Sequence, residues 1–118
     1  MRPALHVDVT THPRQAVVTV SGELDTDTSP LLTQAADALV RHGRTLVLDL
    51  AAVTFIDAAA LNMLLALRHR ARSHGAALQL RAVPAQARHV LDLTGTRHLF
   101  TYCPGTGPAV EAGPPPAS

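Results

Sequence analysis

Apolar and polar residues alternate with a period of two over the first part of the chain. Residues 4–10 (ALHVDVT) place an apolar side chain at every second position, and residues 16–21 (AVVTVS) form a β-branched run. Because successive side chains of a strand point to opposite faces, both segments are predicted to be strands. His12-Pro13 interrupts the pattern between them. We therefore predict an antiparallel hairpin at the start of the domain.

Three later segments carry apolar residues at the spacing of three and four that is typical of amphipathic helices. They are residues 29–43, 58–75 and 84–95, and each ends at a glycine, which favours a helix C-cap. Ser29 is predicted to cap the first helix, because the proline that follows it is tolerated in a first turn.

Short apolar runs separate or follow these helices at residues 45–50 (TLVLDL), 77–82 (ALQLRA) and 99–102 (LFTY). The first is typical of a buried parallel strand, the second alternates as a strand does, and the third is a possible last strand. The order of elements predicts an α/β fold in which helices pack against a small mixed sheet.

The chain has 118 residues, which fits one domain. We expect the domain to span residues 1–103, and residues 104–118, rich in proline and glycine, to form a disordered tail. A single cysteine excludes an internal disulfide, and the sequence shows no signal peptide and no membrane-spanning stretch. We expect a cytoplasmic protein without a membrane partner.

All ten residues counted as lysine or arginine are arginines, and the formal net charge is +1. The absence of lysine excludes phosphate-loop NTPases, Schiff-base enzymes and phospho-aspartate receiver domains in their usual forms. Few aromatic residues and a pI of about 8.1 weigh against a nucleic-acid partner. We expect no cofactor and no enzymatic activity.

Seven histidines raise the question of a metal site. His69 and His74 are five residues apart, which places them about 140° apart around a helix, so we expect no metal site. Together with Arg68, Arg70 and Arg72 they form a basic helix end. This end is either a solvated terminus favoured by the helix dipole or a contact for an acidic patch on a partner.

Asp57 stands where the strand beginning at Thr45 gives way to the second helix, at the edge where open α/β sheets carry functional groups. Its carboxylate is predicted to cap that helix. No histidine, serine or second acid lies in residues 53–60, so catalysis is not supported. Asp49 is predicted to accept hydrogen bonds from loop N–H groups, while Asp25 is either structural or part of a contact surface.

Three segments carry a resemblance to a known family: residues 18–25 (VTVSGELD), 46–57 (LVLDLAAVTFID) and 90–95 (VLDLTG). They resemble the signature segments of STAS domains, specifically of bacterial anti-sigma factor antagonists, and the likeness covers residues 4–102. It implies a four- or five-stranded sheet with helices mainly on one face. It also implies a protein-binding switch rather than an enzyme.

In that family the loop before the second helix usually contains Asp-Ser-Ser-Gly or Asp-Ala-Ser-Gly, and an anti-sigma factor with serine kinase activity phosphorylates the second residue after the aspartate. Here the segment is DAAA, and Ala59 occupies the acceptor position without a hydroxyl group. The resemblance therefore implies a module that is locked in its binding form. The partner-binding residues that it implies are Asp25, Thr26, Asp57, Ala58, Ala59, Ala60 and Leu61, with Met63 and Leu64 as far as they are exposed.

Two other functions remain open on the sequence alone: a degenerate STAS scaffold, and a sensor of a small ligand or nucleotide. A deep polar pocket at Asp57 would favour the sensor, and a flat or convex surface would favour the antagonist. A phosphorylation site could also have moved to one of the nearby hydroxyl groups of Thr26, Thr28, Ser29 or Thr54. We expect a monomer or a weak dimer.

Overall fold

The computed structural model describes residues 5–103. Their elements, in chain order, are β1 (Leu5–Thr11), β2 (Gln15–Leu24), α1 (Ser29–Arg41), β3 (Thr45–Ile56), α2 (Ala58–Ser73), β4 (Leu78–Arg81), α3 (Ala85–Thr94), a 3-10 turn (Arg97–Leu99) and β5 (Thr101–Cys103). The predicted tail at residues 104–118 lies outside the described residues. No helix within residues 5–103 combines the length and the apolar character needed to cross a membrane.

The five strands of the described chain form one mixed sheet in the order β1-β2-β3-β4-β5. β1 pairs antiparallel with β2, as the hairpin prediction required, and the other neighbours pair parallel. The three connections between parallel strands each contain a helix, and all move across the sheet in the same direction. Because such crossovers are right-handed, all three helices pack on one face. The predicted α/β fold is confirmed.

The core lies between that face and the helices. Val18, Leu48 and Leu80 stand in register on β2, β3 and β4, and each is at most 1% exposed. Leu32 of α1 and Leu64 of α2 are equally buried, and they belong to the same apolar cluster. The apolar stripes of the helices therefore stabilise the fold by covering one side of the sheet.

The opposite face of the sheet holds an ion pair that the sequence did not predict. Asp49 and Arg81 are paired residues of β3 and β4, and the Arg81 Nη2 to Asp49 Oδ2 distance is 2.9 Å. Asp49 also accepts a hydrogen bond from Ala51 N at 3.0 Å, which agrees with its predicted structural role. This carboxylate therefore joins two strands and shapes the chain that follows it.

Two predicted boundaries are wrong. β3 continues to Ile56 rather than ending near residue 50. The sequence hides this extension, because irregularities in the pairing of β3 with β2 interrupt the period-two pattern. Val53 and Ile56, in the extension, are nevertheless buried. Ser29 does not cap α1, since Thr28 holds the N-cap position and the Ser29 hydroxyl donates to Asp25 O at 2.6 Å.

Candidate functional site: a protein-binding surface

Asp57 is the single residue between β3 and α2, and it fixes the start of that helix. Its Oδ1 accepts a hydrogen bond from Ala60 N at 2.8 Å, which confirms the predicted N-cap. Its own N–H donates to Leu24 O at 3.3 Å, so the end of β2 and the start of α2 are held together. The first turn of α2 is consequently presented in one defined orientation.

The four residues after Asp57 divide into an exposed pair and a buried pair. Ala58 and Ala59 are exposed, and only a methyl group projects from each. Ala60 is 0% exposed and Leu61 is 2% exposed, because their side chains face the sheet. Ala60 and Leu61, which the resemblance includes among the partner-binding residues, thus lie in the core of the described chain. Leu64 is also buried, whereas Met63 is half-buried.

The loop between β2 and α1 lies beside this turn and is shaped by its own side chains. Asp25 Oδ1 accepts hydrogen bonds from Asp27 N at 3.0 Å and from Thr28 N at 3.1 Å. The Thr28 hydroxyl donates to Glu23 O at 2.8 Å and accepts from Asp25 N at 2.9 Å. Asp25 thus has a structural role, and the same loop leaves Thr26 exposed.

The hydroxyl groups considered as alternative phosphorylation sites differ in exposure. Thr28 and Ser29 are each 8% exposed and hydrogen-bonded, so in this conformation a kinase would not reach them. Thr54 is exposed, and its hydroxyl donates to Gly22 O at 3.2 Å. Thr26 is exposed, and its hydroxyl forms no hydrogen bond with any group of residues 5–103.

Two exposed apolar side chains flank the loop and the turn, and sequence reasoning missed both. Leu31, in the first turn of α1, is 48% exposed, and Phe55, next to last in β3, is 42% exposed. Leu31 lies off the apolar stripe of its helix, and helical spacing in the sequence could have predicted that it is exposed. We call the following exposed and half-buried residues the Asp57 surface: Asp25, Thr26, Leu31, Phe55, Asp57, Ala58 and Ala59.

Gln86 of α3 is a second residue that the sequence did not single out. Its side-chain amide accepts a hydrogen bond from Ile56 N at 2.9 Å and donates one to Ile56 O at 3.0 Å. The amide thus substitutes for a neighbouring strand at a point of β3 beyond its pairing with β4. Because Ile56 precedes Asp57, Gln86 positions the backbone from which the Asp57 surface is built.

The segments that build the Asp57 surface carry a negative charge. Residues 21–31 and 51–66 contain four carboxylates and no arginine, lysine or histidine; the four are Glu23, Asp25, Asp27 and Asp57. An acidic rim with small and apolar side chains at its centre can recognise a partner surface but carries no nucleophile beside a base.

Three clefts of residues 5–103 lie elsewhere, and none of them is lined by a residue of the Asp57 surface. The largest, about 600 Å³, borders Arg88, Arg97 and Tyr102 near the carboxyl end of β4. Within residues 5–103 no three histidine, cysteine or acidic side chains are grouped in a way that could hold a metal ion. This arrangement does not favour a ligand sensor centred on Asp57.

Comparisons with known proteins agree with this architecture. Residues 7–101 match the family model described as "Mlab, STAS domain". An anti-sigma factor antagonist from Mycobacterium paratuberculosis is 32% identical, the alignment covers 86% of each chain, and the TM-score is 0.75. No curated protein sequence matches significantly.

Two more distant structures share the fold. A putative anti-sigma factor antagonist from Thermotoga maritima is 19% identical over 81% of this chain and 84% of its own, with a TM-score of 0.68. The phosphorylated form of the Bacillus cell fate determinant SpoIIAA is 15% identical over 84% of this chain and 92% of its own, with a TM-score of 0.65.

Proposed function

Because the chain belongs to the STAS domain family, we propose that it is an anti-sigma factor antagonist-like module that binds an anti-sigma factor with serine kinase activity through the Asp57 surface. It acts by recognition rather than by catalysis. It works in the cytoplasm, where sigma factors join RNA polymerase, as a monomer or weak dimer. The observation that carries the proposal is the exposed methyl group of Ala59 in a helix turn whose geometry Asp57 fixes.

The shape and chemistry of the surface support a protein partner. Exposed alanines allow the backbone of a partner to come close, and Leu31 and Phe55 supply apolar area beside them. Interfaces commonly combine an apolar centre with a charged rim, and Asp25, Asp27 and Glu23 would form that rim. A complementary partner surface is therefore basic around an apolar patch.

The absence of a hydroxyl at Ala59 defines the regulation that we propose. A related structure, SpoIIAA, is described in both an unphosphorylated and a phosphorylated form. A phosphate at position 59 would add bulk and about two negative charges beside Asp57, at the apolar centre of the contact, where a charge loses its hydration. Ala59 cannot accept a phosphoryl group, so the module stays in the form that binds its partner.

Calorimetric titration of the chain into candidate anti-sigma factor kinases tests the binding surface. Ala58→Arg places a long cation on the Asp57 surface, and we expect it to weaken binding by a factor of about 100, as the loss of a central contact does. Ala66→Arg is the matched control, because Ala66 is also exposed on α2 but lies two turns away. We expect the control to bind like wild type.

The same titration, repeated with different nucleotides, tests whether wild type stays in its binding form. Wild type should bind with equal affinity in the presence of ATP and of a non-hydrolysable analogue. If wild type binds no anti-sigma kinase, the antagonist function fails and the degenerate scaffold becomes the better account. Equal loss in both arginine variants would place the contact outside the Asp57 surface.

A further inference from the structure

The end of the sheet opposite the Asp57 surface is strongly basic. Several segments meet there: the turn between β1 and β2, the ends of α1 and α2, and the starts of β3 and β4. Two hydrogen bonds join them, from Thr45 N to Arg14 O at 3.1 Å and from Leu46 N to Ala77 O at 2.9 Å. These segments carry six of the ten arginines and four of the seven histidines: Arg14, Arg41, Arg44, Arg68, Arg70, Arg72, His12, His42, His69 and His74. Asp37 is the one acid in the described part of these segments, and the end of α3, which lies at the same edge, adds the ion pair of Asp92 with Arg97. We call this region the basic end.

The arginines of the basic end differ in their partners. Arg41 and Arg70 both pair with Asp37, and the Arg44 Nε donates to His12 O at 3.2 Å. Arg68 and Arg72 form no hydrogen bond or ion pair with any group of residues 5–103, and they stand one helical turn apart on the same side of α2. Two like charges at this spacing repel each other, so a negatively charged ligand between them would relieve the repulsion.

A cleft of about 250 Å³ lies beside these two side chains. Its lining residues are Arg68, Arg72, Ala76, Ala77, Leu78 and Thr101. The final carbonyl groups of α2 do not require the guanidinium groups, because the backbone N–H groups of His74, Gly75 and Ala76 already donate to them. The arginines of the cleft are thus free to bind a ligand.

The size and composition of the cleft limit what it would hold. Sites for drug-sized ligands usually measure about 300 to 1,000 Å³, so at about 250 Å³ this cleft has room for an acidic side chain but is small for a nucleotide. Guanidinium groups bind carboxylates and phosphates through paired hydrogen bonds. No aromatic side chain lines the cleft to stack on a nucleic-acid base.

We propose that the cleft between Arg68 and Arg72 binds a carboxylate of an acidic segment in a partner protein, while the remaining arginines and histidines of the basic end attract the rest of that segment. The extent of the basic end favours a segment with several acids over one isolated anion. This second contact surface is independent of the Asp57 surface, and it leaves that surface free for an anti-sigma factor.

The test is a fluorescence titration of the full chain with a labelled hexaglutamate peptide at low salt. Arg68→Gln/Arg72→Gln should weaken binding by a factor of about ten or more, because it removes charge-assisted hydrogen bonds. Arg14→Gln/Arg41→Gln removes the same charge from the basic end but not from the cleft, and it should weaken binding by less than about threefold. Thermal melting of both variants checks that they are folded.

Competition experiments identify which class of anion the cleft prefers. Inorganic phosphate and a uridine hexanucleotide should compete with the peptide only at concentrations far above the peptide's own Kd. Equal losses in the two double variants, or no peptide binding by wild type, would overturn the proposal. Competition by phosphate or RNA at concentrations comparable to that Kd would also overturn it, in favour of a free-anion or nucleic-acid site. Ala59→Asp should leave peptide binding unchanged, so this test stands apart from that of the Asp57 surface.

Discussion

The two ends of the sheet differ in charge and in the way their charged side chains are held. At the carboxyl ends of β2 and β3, Asp25 and Asp57 accept hydrogen bonds from backbone N–H groups within three residues. At the opposite end, Arg68 and Arg72 line a cleft and pair with no acid among residues 5–103. Short carboxylates therefore shape the backbone at one end, whereas Arg68 and Arg72 at the other end make no hydrogen bond to the described backbone.

The two ends should therefore respond differently to substitution. Changes at the carboxyl end should alter both the local backbone and the proposed contact with an anti-sigma factor. Changes at the basic end should alter charge with little structural effect, because long exposed side chains contribute little to stability.

A negative charge at position 59 should have the largest effect. We expect Ala59→Asp to weaken binding of an anti-sigma factor by a factor of about 100, because it buries a charge at the apolar centre of the proposed contact. The same change should raise the free energy of unfolding slightly, by about 0.3 to 1 kcal/mol, since an acid is favourable in the first turn of a helix.

Ser73→Asp is the corresponding change at the basic end, where α2 finishes. We expect it to lower the free energy of unfolding by a few tenths of a kcal/mol and to leave anti-sigma binding unchanged. Calorimetry and chemical denaturation measure the two quantities. If Ala59→Asp and Ser73→Asp weaken anti-sigma binding equally, the proposal that only the carboxyl end contacts the anti-sigma factor is wrong.

Removal of the Gln86 amide should destabilise the carboxyl end. Gln86→Leu keeps the approximate volume but leaves the N–H and C=O groups of Ile56 without their partner, at a cost of about 1 to 3 kcal/mol in urea denaturation. Gln34→Leu is the matched control on the exposed side of α1, and it should change stability by less than about 0.5 kcal/mol. Equal effects would show that the Ile56 contact contributes nothing.

Loss of the Asp57 cap should have a moderate effect. Asp57→Ala removes the acceptor of the Ala60 N–H group and should lower the free energy of unfolding by about 1 kcal/mol. Asp27→Ala, in the exposed part of the neighbouring loop, should change it by less than about 0.5 kcal/mol. If the two changes are equivalent, the carboxylate at Asp57 does not act as a cap.

The smallest effect concerns Tyr102 at high pH. Burial raises the pKa of Tyr102 above its ordinary value; Arg97 opposes this rise and Asp92 adds to it. Its neutral hydroxyl donates to Arg97 O at 2.7 Å. Because the pKa is raised in the folded state, this contribution is complete below pH of about 10 and is lost as the pH rises through the folded-state value.

Tyr102→Phe should therefore show a smaller decrease in melting temperature than wild type between neutral pH and pH values above about 10. Identical pH profiles would show that Tyr102 does not contribute. Tyr102→Phe should bind the anti-sigma factor as tightly as wild type does at neutral pH, since Tyr102 is not part of the Asp57 surface.

Local patterns predicted much of this fold and part of the site. The hairpin, the three helices and the Asp57 cap depend on residues close together in the chain, so spacing and capping rules were sufficient to predict them. The extension of β3 to Ile56 was missed because pairing irregularities break the alternation on which a strand prediction depends. The contacts of Gln86 with Ile56 and of Arg81 with Asp49 join residues about 30 positions apart, and no local pattern reports such pairs.

Phosphorylation by a partner kinase tests the central claim, that Ala59 removes the acceptor from an otherwise competent binding surface. Wild type, Ala59→Ser and the control Ala66→Ser would each be incubated with an anti-sigma kinase that binds wild type and with ATP, and intact masses and binding would be measured. We predict that only Ala59→Ser gains a phosphoryl group, at the introduced hydroxyl, and that it alone loses the kinase. A phosphoryl group on wild type, at Thr26 or elsewhere, or retention of the kinase by phosphorylated Ala59→Ser, would contradict the claim.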